Sequence, residues 1–202
     1  MAVSHWWFGF LIDQAEHDDL SPGFLAAAEN AVTTPEAKAV LSSWMRRPSD
    51  FDEPGPGEQA NDFIRAYNLS GFDEFAFRFV GGEGDCVRFL DDGHLFRFVT
   101  TRQVTPMSVV WQVLGPERAL MLPGRMGNLL LSPADVPECH DQVSEAYAGL
   151  TIDVLFERAL RYCAPSVFNE ESLREAITFL PDGLRQARDA GKGFLSLART
   201  EN

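Results

Sequence analysis

The chain predicts an α+β fold: a mostly antiparallel sheet with a central three-stranded meander at about 74–101 and helices packed on it. Three observations carry this. An arginine flanked by apolar residues recurs as Phe77-Arg78-Phe79-Val80, Val87-Arg88-Phe89-Leu90 and Phe96-Arg97-Phe98-Val99, with turn signals between the copies. Elsewhere, Ser, Thr or Asn stands before segments whose apolar residues recur at helical spacing. The strand and helix signals do not alternate regularly, so a βα repeat with a parallel sheet is disfavoured.

In chain order, the apolar run Trp6 to Ile12 reads as a buried strand; it lacks a basic leader and is far too short to span a bilayer. Ser21-Pro22 has the character of an N-cap and first helical residue, which predicts a helix over Gly23 to Val32. Thr34-Pro35 repeats the signal for a second helix to about Arg47, with Ala37, Val40, Leu41 and Trp44 on one face. The segment 48–57, rich in Pro, Gly and acidic residues, is a loop, and a third helix follows near Glu58 to Leu69.

The meander occupies Glu74 to Thr101. Asp92-Gly93 is a two-residue hairpin signal and pairs Arg88 with Arg97; a register centred on Glu83 in the glycine loop pairs Arg78 with Arg88. Three arginines then form a row on one face, and Phe77, Phe79, Val87, Phe89, Phe96 and Phe98 occupy the other. Adjacent like charges are mutually unfavourable, so the row requires a compensator: carboxylates of the chain, solvent, or an anionic ligand held by forked guanidinium bonds.

Beyond the meander, Met107 to Leu114 fits either a strand or a short buried helix, because a run this short does not reveal its period. Ala119 to Leu122 and Asn128 to Leu131 read as short strands around a turn at Pro123-Gly124, and Ser132-Pro133 opens a helix. Thr151 caps the next, with an apolar stripe at Ile152, Leu155, Phe156, Ala159 and Leu160. Asn169 caps another, which Pro181 breaks or kinks and Gly191 ends, before a terminal strand over Gly193 to Ala198.

Composition narrows the function classes. With 202 residues, 45% of them hydrophobic, residues 1–202 can form a single globular domain. A formal charge of −13 opposes non-specific nucleic-acid binding and favours a basic protein partner. Cys86, Cys139 and Cys163 are odd in number and lack zinc or CxxC spacing, which points to a reducing cytoplasm without a disulfide framework or structural metal.

No catalytic set emerges. Cys139-His140-Asp141 holds the residue types of a thiol nucleophile system, but neighbours on a helix point about 100° apart. Glu16-His17-Asp18-Asp19 lacks recognised metal-ligand spacing. His5 reads as a strand-end residue, and His94 is matched by Asp91 across the hairpin turn. Gly81-Gly82-Glu83-Gly84 leads into a strand, whereas phosphate cradles lead into a helix, and Gly124-Arg125-Met126-Gly127 lacks the following Lys-Ser pair; both are turns, and no cofactor is expected.

The loop residues Asp50, Phe51, Asp52 and Glu53 place one aromatic side chain among three carboxylates, the pattern of an anchor with an acidic rim for a basic partner. In the C-terminal third, Leu129-Leu130-Leu131-Ser132-Pro133-Ala134-Asp135-Val136, a long helix, and Ala190-Gly191-Lys192-Gly193-Phe194-Leu195 resemble the YfbM-like family of uncharacterised bacterial proteins. That resemblance implies a bacterial α+β protein and transfers no functional residues. The leading expectation is an acidic cytoplasmic interaction module, of which an immunity-type inhibitor covering a basic toxin is one form. The competing class is an enzyme or small-molecule binder that holds a carboxylate or phosphate on Arg78, Arg88 and Arg97. A purely structural subunit, self-associating through exposed apolar area, is the third.

Overall fold

A computed structural model of the chain describes residues 4–31, 33–46, 59–67, 69–80, 93–102, 104–163 and 169–201. Strand β1 (Ser4–Ile12) is followed by helices α1 (Gln14–Asn30), α2 (Pro35–Arg46), α3 (Gln59–Ala66) and α4 (Ser70–Val80). Strand β2 (Leu95–Arg102), helix α5 (Pro106–Leu114) and the short α6 (Pro116–Ala119) come next. Strand β3 (Leu129–Leu131), helices α7 (Val136–Tyr147), α8 (Ile152–Tyr162) and α9 (Glu170–Ala190), and strand β4 (Gly193–Glu201) complete the order. The α+β class holds, with a four-stranded sheet of order β2-β1-β4-β3, antiparallel throughout.

The meander takes a different form. Phe77 to Val80, expected as its first strand, ends helix α4; the second copy lies outside the described residues; and only the third copy is a described strand, β2, paired with β1. Four alternating residues are too few to outweigh helical spacing: Phe72, Phe75 and Ala76, at i, i+3 and i+4, are all buried on one side of α4. Alternation also fails within β2. The register shifts between Gly9 and Phe10, so Gly9 pairs with Arg97 and Phe10 with Leu95, which leaves Phe96 as the extra residue of a β-bulge. Phe96 and Arg97 therefore both reach α9, while Phe98 lies against Phe8 at 4.9 Å between ring centroids.

Both faces of β1 are buried. On one, Trp7 stacks on Phe179 of α9 at 3.9 Å, and Phe179, Phe96 and Phe194 crowd the space above Gly9. Phe8, Phe10 and Ile12 alternate to the other and are also buried. Each such side chain contributes on the order of 2 kcal/mol through area removed from water. The indole Nε1–H of Trp7 donates to Ser196 Oγ at 2.7 Å and Gly127 O at 3.1 Å, so its one polar atom is satisfied inside this core.

Helix α5 resolves the ambiguity over Met107 to Leu114. Every residue from Pro106 to Leu114 is buried, so the helix has no polar face from which a period could be read. Two of its polar side chains bond inside the protein: Ser108 Oγ donates to Thr105 O and to Asn61 Oδ1, and Gln112 Oε1 accepts the Ala60 N–H. Other expectations shift in extent. The first helix starts at Gln14, not after Ser21-Pro22: Asp13 and Glu16 close a reciprocal capping box, and Pro22 is carried inside the helix. Ala119 to Leu122 is no strand, since Ala119 ends α6, and the helix foreseen at Ser132-Pro133 begins at Val136. Thr34, Thr151 and Asn169 cap as expected, the last accepting the Ser172 N–H at 2.6 Å.

Pro181 does not break α9, which runs from Glu170 to Ala190. Its missing N–H frees the carbonyl of Ile177, and Tyr147 Oη–H donates to that carbonyl at 2.9 Å. Gly191, at φ +63°, then ends the helix in the left-handed conformation.

Candidate functional site

The arginine row does not assemble on a strand. Arg78 belongs to α4, Arg88 lies outside the described residues, and Arg97 is clasped by α9. Arg97 Nη1 donates to Thr178 Oγ1 at 2.7 Å and Glu175 O at 3.3 Å, and Nη2 donates to Asp182 Oδ2 at 3.1 Å. Its guanidinium also lies 4.8 Å from the Phe96 ring. The compensating carboxylate comes from the chain itself, and Asp182 is shared with Arg185 at 2.8 Å. Asp50, Phe51, Asp52 and Glu53 lie outside the described residues, as do Gly81 to Gly84, Cys86 and Asp91.

The small polar clusters resolve into local structure. Glu16, His17, Asp18 and Asp19 sit in α1, where bonds from His17 and Gln14 hold the Asp18 carboxyl below its ordinary range. His94 Nδ1 lies 3.0 Å from Leu11 O, an acceptor only, so Nδ1 carries a proton; Nε2 is 3.6 Å from Glu16. His5 is buried in β1. Burial, then the charges of Asp135 and Glu138, push the Cys139 thiol up and keep it from the nucleophilic thiolate form at neutral pH. His140 instead faces Asp141 at 3.4 Å and Arg188 at 3.2 Å. Gly124 to Gly127 forms a tight turn, with Met126 at φ +50° and Gly127 at φ +90°, closed by paired bonds between Arg125 and Asn128.

Two features of the surface are not explained by local structure. The first is the outer face of α7. Glu138, Asp141 and Glu145 are exposed and stand at i, i+3 and i+7, and α7 contains neither Lys nor Arg. Glu138 lies in the first turn, where the helix dipole favours it; Glu145 lies in the last, where the dipole opposes it. The arrangement therefore costs helix stability, a few tenths of a kcal/mol per like-charge pair. In sequence alone the stripe is hidden among the polar residues between 138 and 145, and its spacing becomes visible once the helix is placed.

The second is an open cavity of about 360 Å³ between the ends of α2 and α5, α6 and α8. Met45, Leu114 and Leu150 form its apolar lining, and Arg118, Arg158 and Glu117 its charged lining. Each arginine is anchored through Nη1 to helix-end carbonyls: Arg118 donates to Ala146 O and Ala148 O at 2.9 and 2.7 Å, and Arg158 to Val113 O at 2.9 Å. Nothing in sequence connects these two positions, which meet only through the packing of α6 and α8 around α5.

Among the described residues, no helix is long and apolar enough to cross a membrane, and no group of three or more His, Cys, Asp or Glu side chains is arranged to hold a metal ion. No family model matches the chain, and no curated protein or solved structure matches it.

Proposed function

We propose that the protein is an acidic interaction module of the bacterial cytoplasm that covers the basic surface of another protein, an immunity-type inhibitor of a basic toxin being the form that suits it. The observation that carries this reading is the outer face of α7, where three exposed carboxylates repel one another and Glu145 opposes the helix dipole, with neither Lys nor Arg in the helix. A basic partner would relieve both costs. The chain's charge of −13 would steer such a partner from a distance, raising the association rate at low ionic strength. Asp50, Phe51, Asp52 and Glu53 offer a second acidic segment with an aromatic anchor.

The test immobilises the wild-type protein and a Glu138→Lys, Asp141→Lys, Glu145→Lys variant side by side, exposes both to lysate of the source organism at low and high salt, and identifies what is retained. A basic protein held by the wild type at low salt, released by high salt and lost from the variant is the expected result. Affinity for the purified partner should fall tenfold or more in the variant. A wild type that retains no basic protein, or a variant that retains it equally, overturns the reading. A parallel Asp50→Lys, Asp52→Lys, Glu53→Lys variant reports whether the loop shares the interface.

A further inference from the structure

We infer that the cavity between α2, α5, α6 and α8 binds a small organic monocarboxylate, its anionic end held by Arg118 and its apolar body seated on Met45, Leu114 and Leu150. The inference is independent of the interaction reading, since it concerns a concave cationic site and not the acidic outer face of α7.

Two guanidiniums at one cavity is an arrangement that folding alone does not favour. Arg158 is depressed below the ordinary arginine value by burial and then by the neighbouring Arg118, so the two charges act on each other. Arg118 bonds the helix-end carbonyls through Nη1 alone, leaving its Nε and Nη2 with no bond to described residues. Such an edge is the fork that a carboxylate accepts bidentately, and the carbonyl anchor holds its orientation before any ligand arrives. The charges lining the cavity, Arg118, Arg158 and Glu117, sum to +1, which neutralises a monoanion and leaves a phosphate dianion in excess. The apolar lining selects for a hydrocarbon body, and Met45, a flexible side chain 42% exposed at the end of α2, can close over it.

The experiment titrates benzoate and hexanoate, with inorganic phosphate as the competing anion, into the full-length protein and follows binding by calorimetry and by the methyl resonances of Met45, Leu114 and Leu150. Wild type should bind a carboxylate saturably, shift those methyls and show weaker binding of phosphate. Arg118→Met should weaken the carboxylate tenfold or more. Because Arg118 also bonds the end of α7, that variant is paired with Glu117→Gln, an exposed substitution that removes the one carboxylate of the lining; it should tighten binding about two- to fivefold. If Arg118→Met unfolds, Glu117→Gln alone decides. No saturable carboxylate binding in wild type, phosphate bound as well as carboxylate, undiminished affinity in a folded Arg118→Met, or unchanged or weaker affinity in Glu117→Gln each overturns the inference.

Discussion

Tyr147 shows how a single hydroxyl lets α9 carry a proline. Pro181 supplies no N–H to Ile177, and the phenol of Tyr147 takes that place at 2.9 Å from inside the core. Tyr147→Phe should cost about 1 to 3 kcal/mol in urea unfolding, because the Ile177 carbonyl is left buried without a donor. In a Pro181→Ala background the helix provides its own N–H, so the same substitution should cost markedly less. Equal costs in the two backgrounds would show that the hydroxyl does not compensate the proline. Neither residue announces the other in sequence: Pro181 reads as a helix breaker, and its rescue comes from 34 positions away on another helix. Arg97 is a similar case. Its flanking phenylalanines suggest strict alternation, yet the bulge at Phe96 turns arginine and phenylalanine to the same side, where Asp182 and Thr178 bind the guanidinium.

At the scale of elements, the close seat of α9 on β1 and β4 depends on glycines that admit aromatic rings. A Cβ built on Gly183 would lie 2.5 Å from Phe194 Cζ, and one on Gly9 would lie 2.9 Å from Phe179 Cζ. Gly183→Ala should therefore destabilise by about 1 to 3 kcal/mol through overpacking, although alanine is intrinsically better in a helix by about 1 kcal/mol. A stability gain in thermal or urea unfolding would refute the close seat. Which elements form was legible where the determinant is local. Thr34, Thr151, Asn169 and Gly191 mark helix ends through their own side chains or backbone, and they end the helices as read. The capping box of Asp13 and Glu16 was equally local, but the Ser21-Pro22 signal concealed it, since a proline that suits a first turn can also be carried farther in. Helix α5 gave no period because all its sides are buried, and α4 was obscured by a short alternation at its end.

For the molecule as a whole, composition indicated an acidic chain able to bury a core, whereas the sheet order was hidden because it is set by contacts of the longest range. β1 and β4 pair along their whole lengths, Ser4 with Glu201 through Ile12 with Gly193, at the middle of the sheet. The cavity beside Arg118 and Arg158 depends on the same long-range assembly. That assembly also fixes how the fold responds to alkali. Cys163 is 3% exposed, and burial pushes its thiol from 9.0 up to about 12. The unfolded chain gives up this proton near its ordinary value while the folded chain keeps it, so the stability it contributes is complete below about pH 9 and declines toward pH 12. The buried Tyr147 phenol, raised by burial and then by Asp182, acts with the same sign from pH 10 upward. At a slope of about 1.4 kcal/mol per pH unit, Cys163 alone removes about 3 kcal/mol by pH 11, a large share of a typical domain's stability. Cys163→Ala should thus be less stable than wild type at pH 7 through its lost packing, yet close the gap between pH 9 and pH 11 in urea unfolding. Parallel stability curves for the two proteins across that interval would mean that the thiol ionises as readily folded as unfolded.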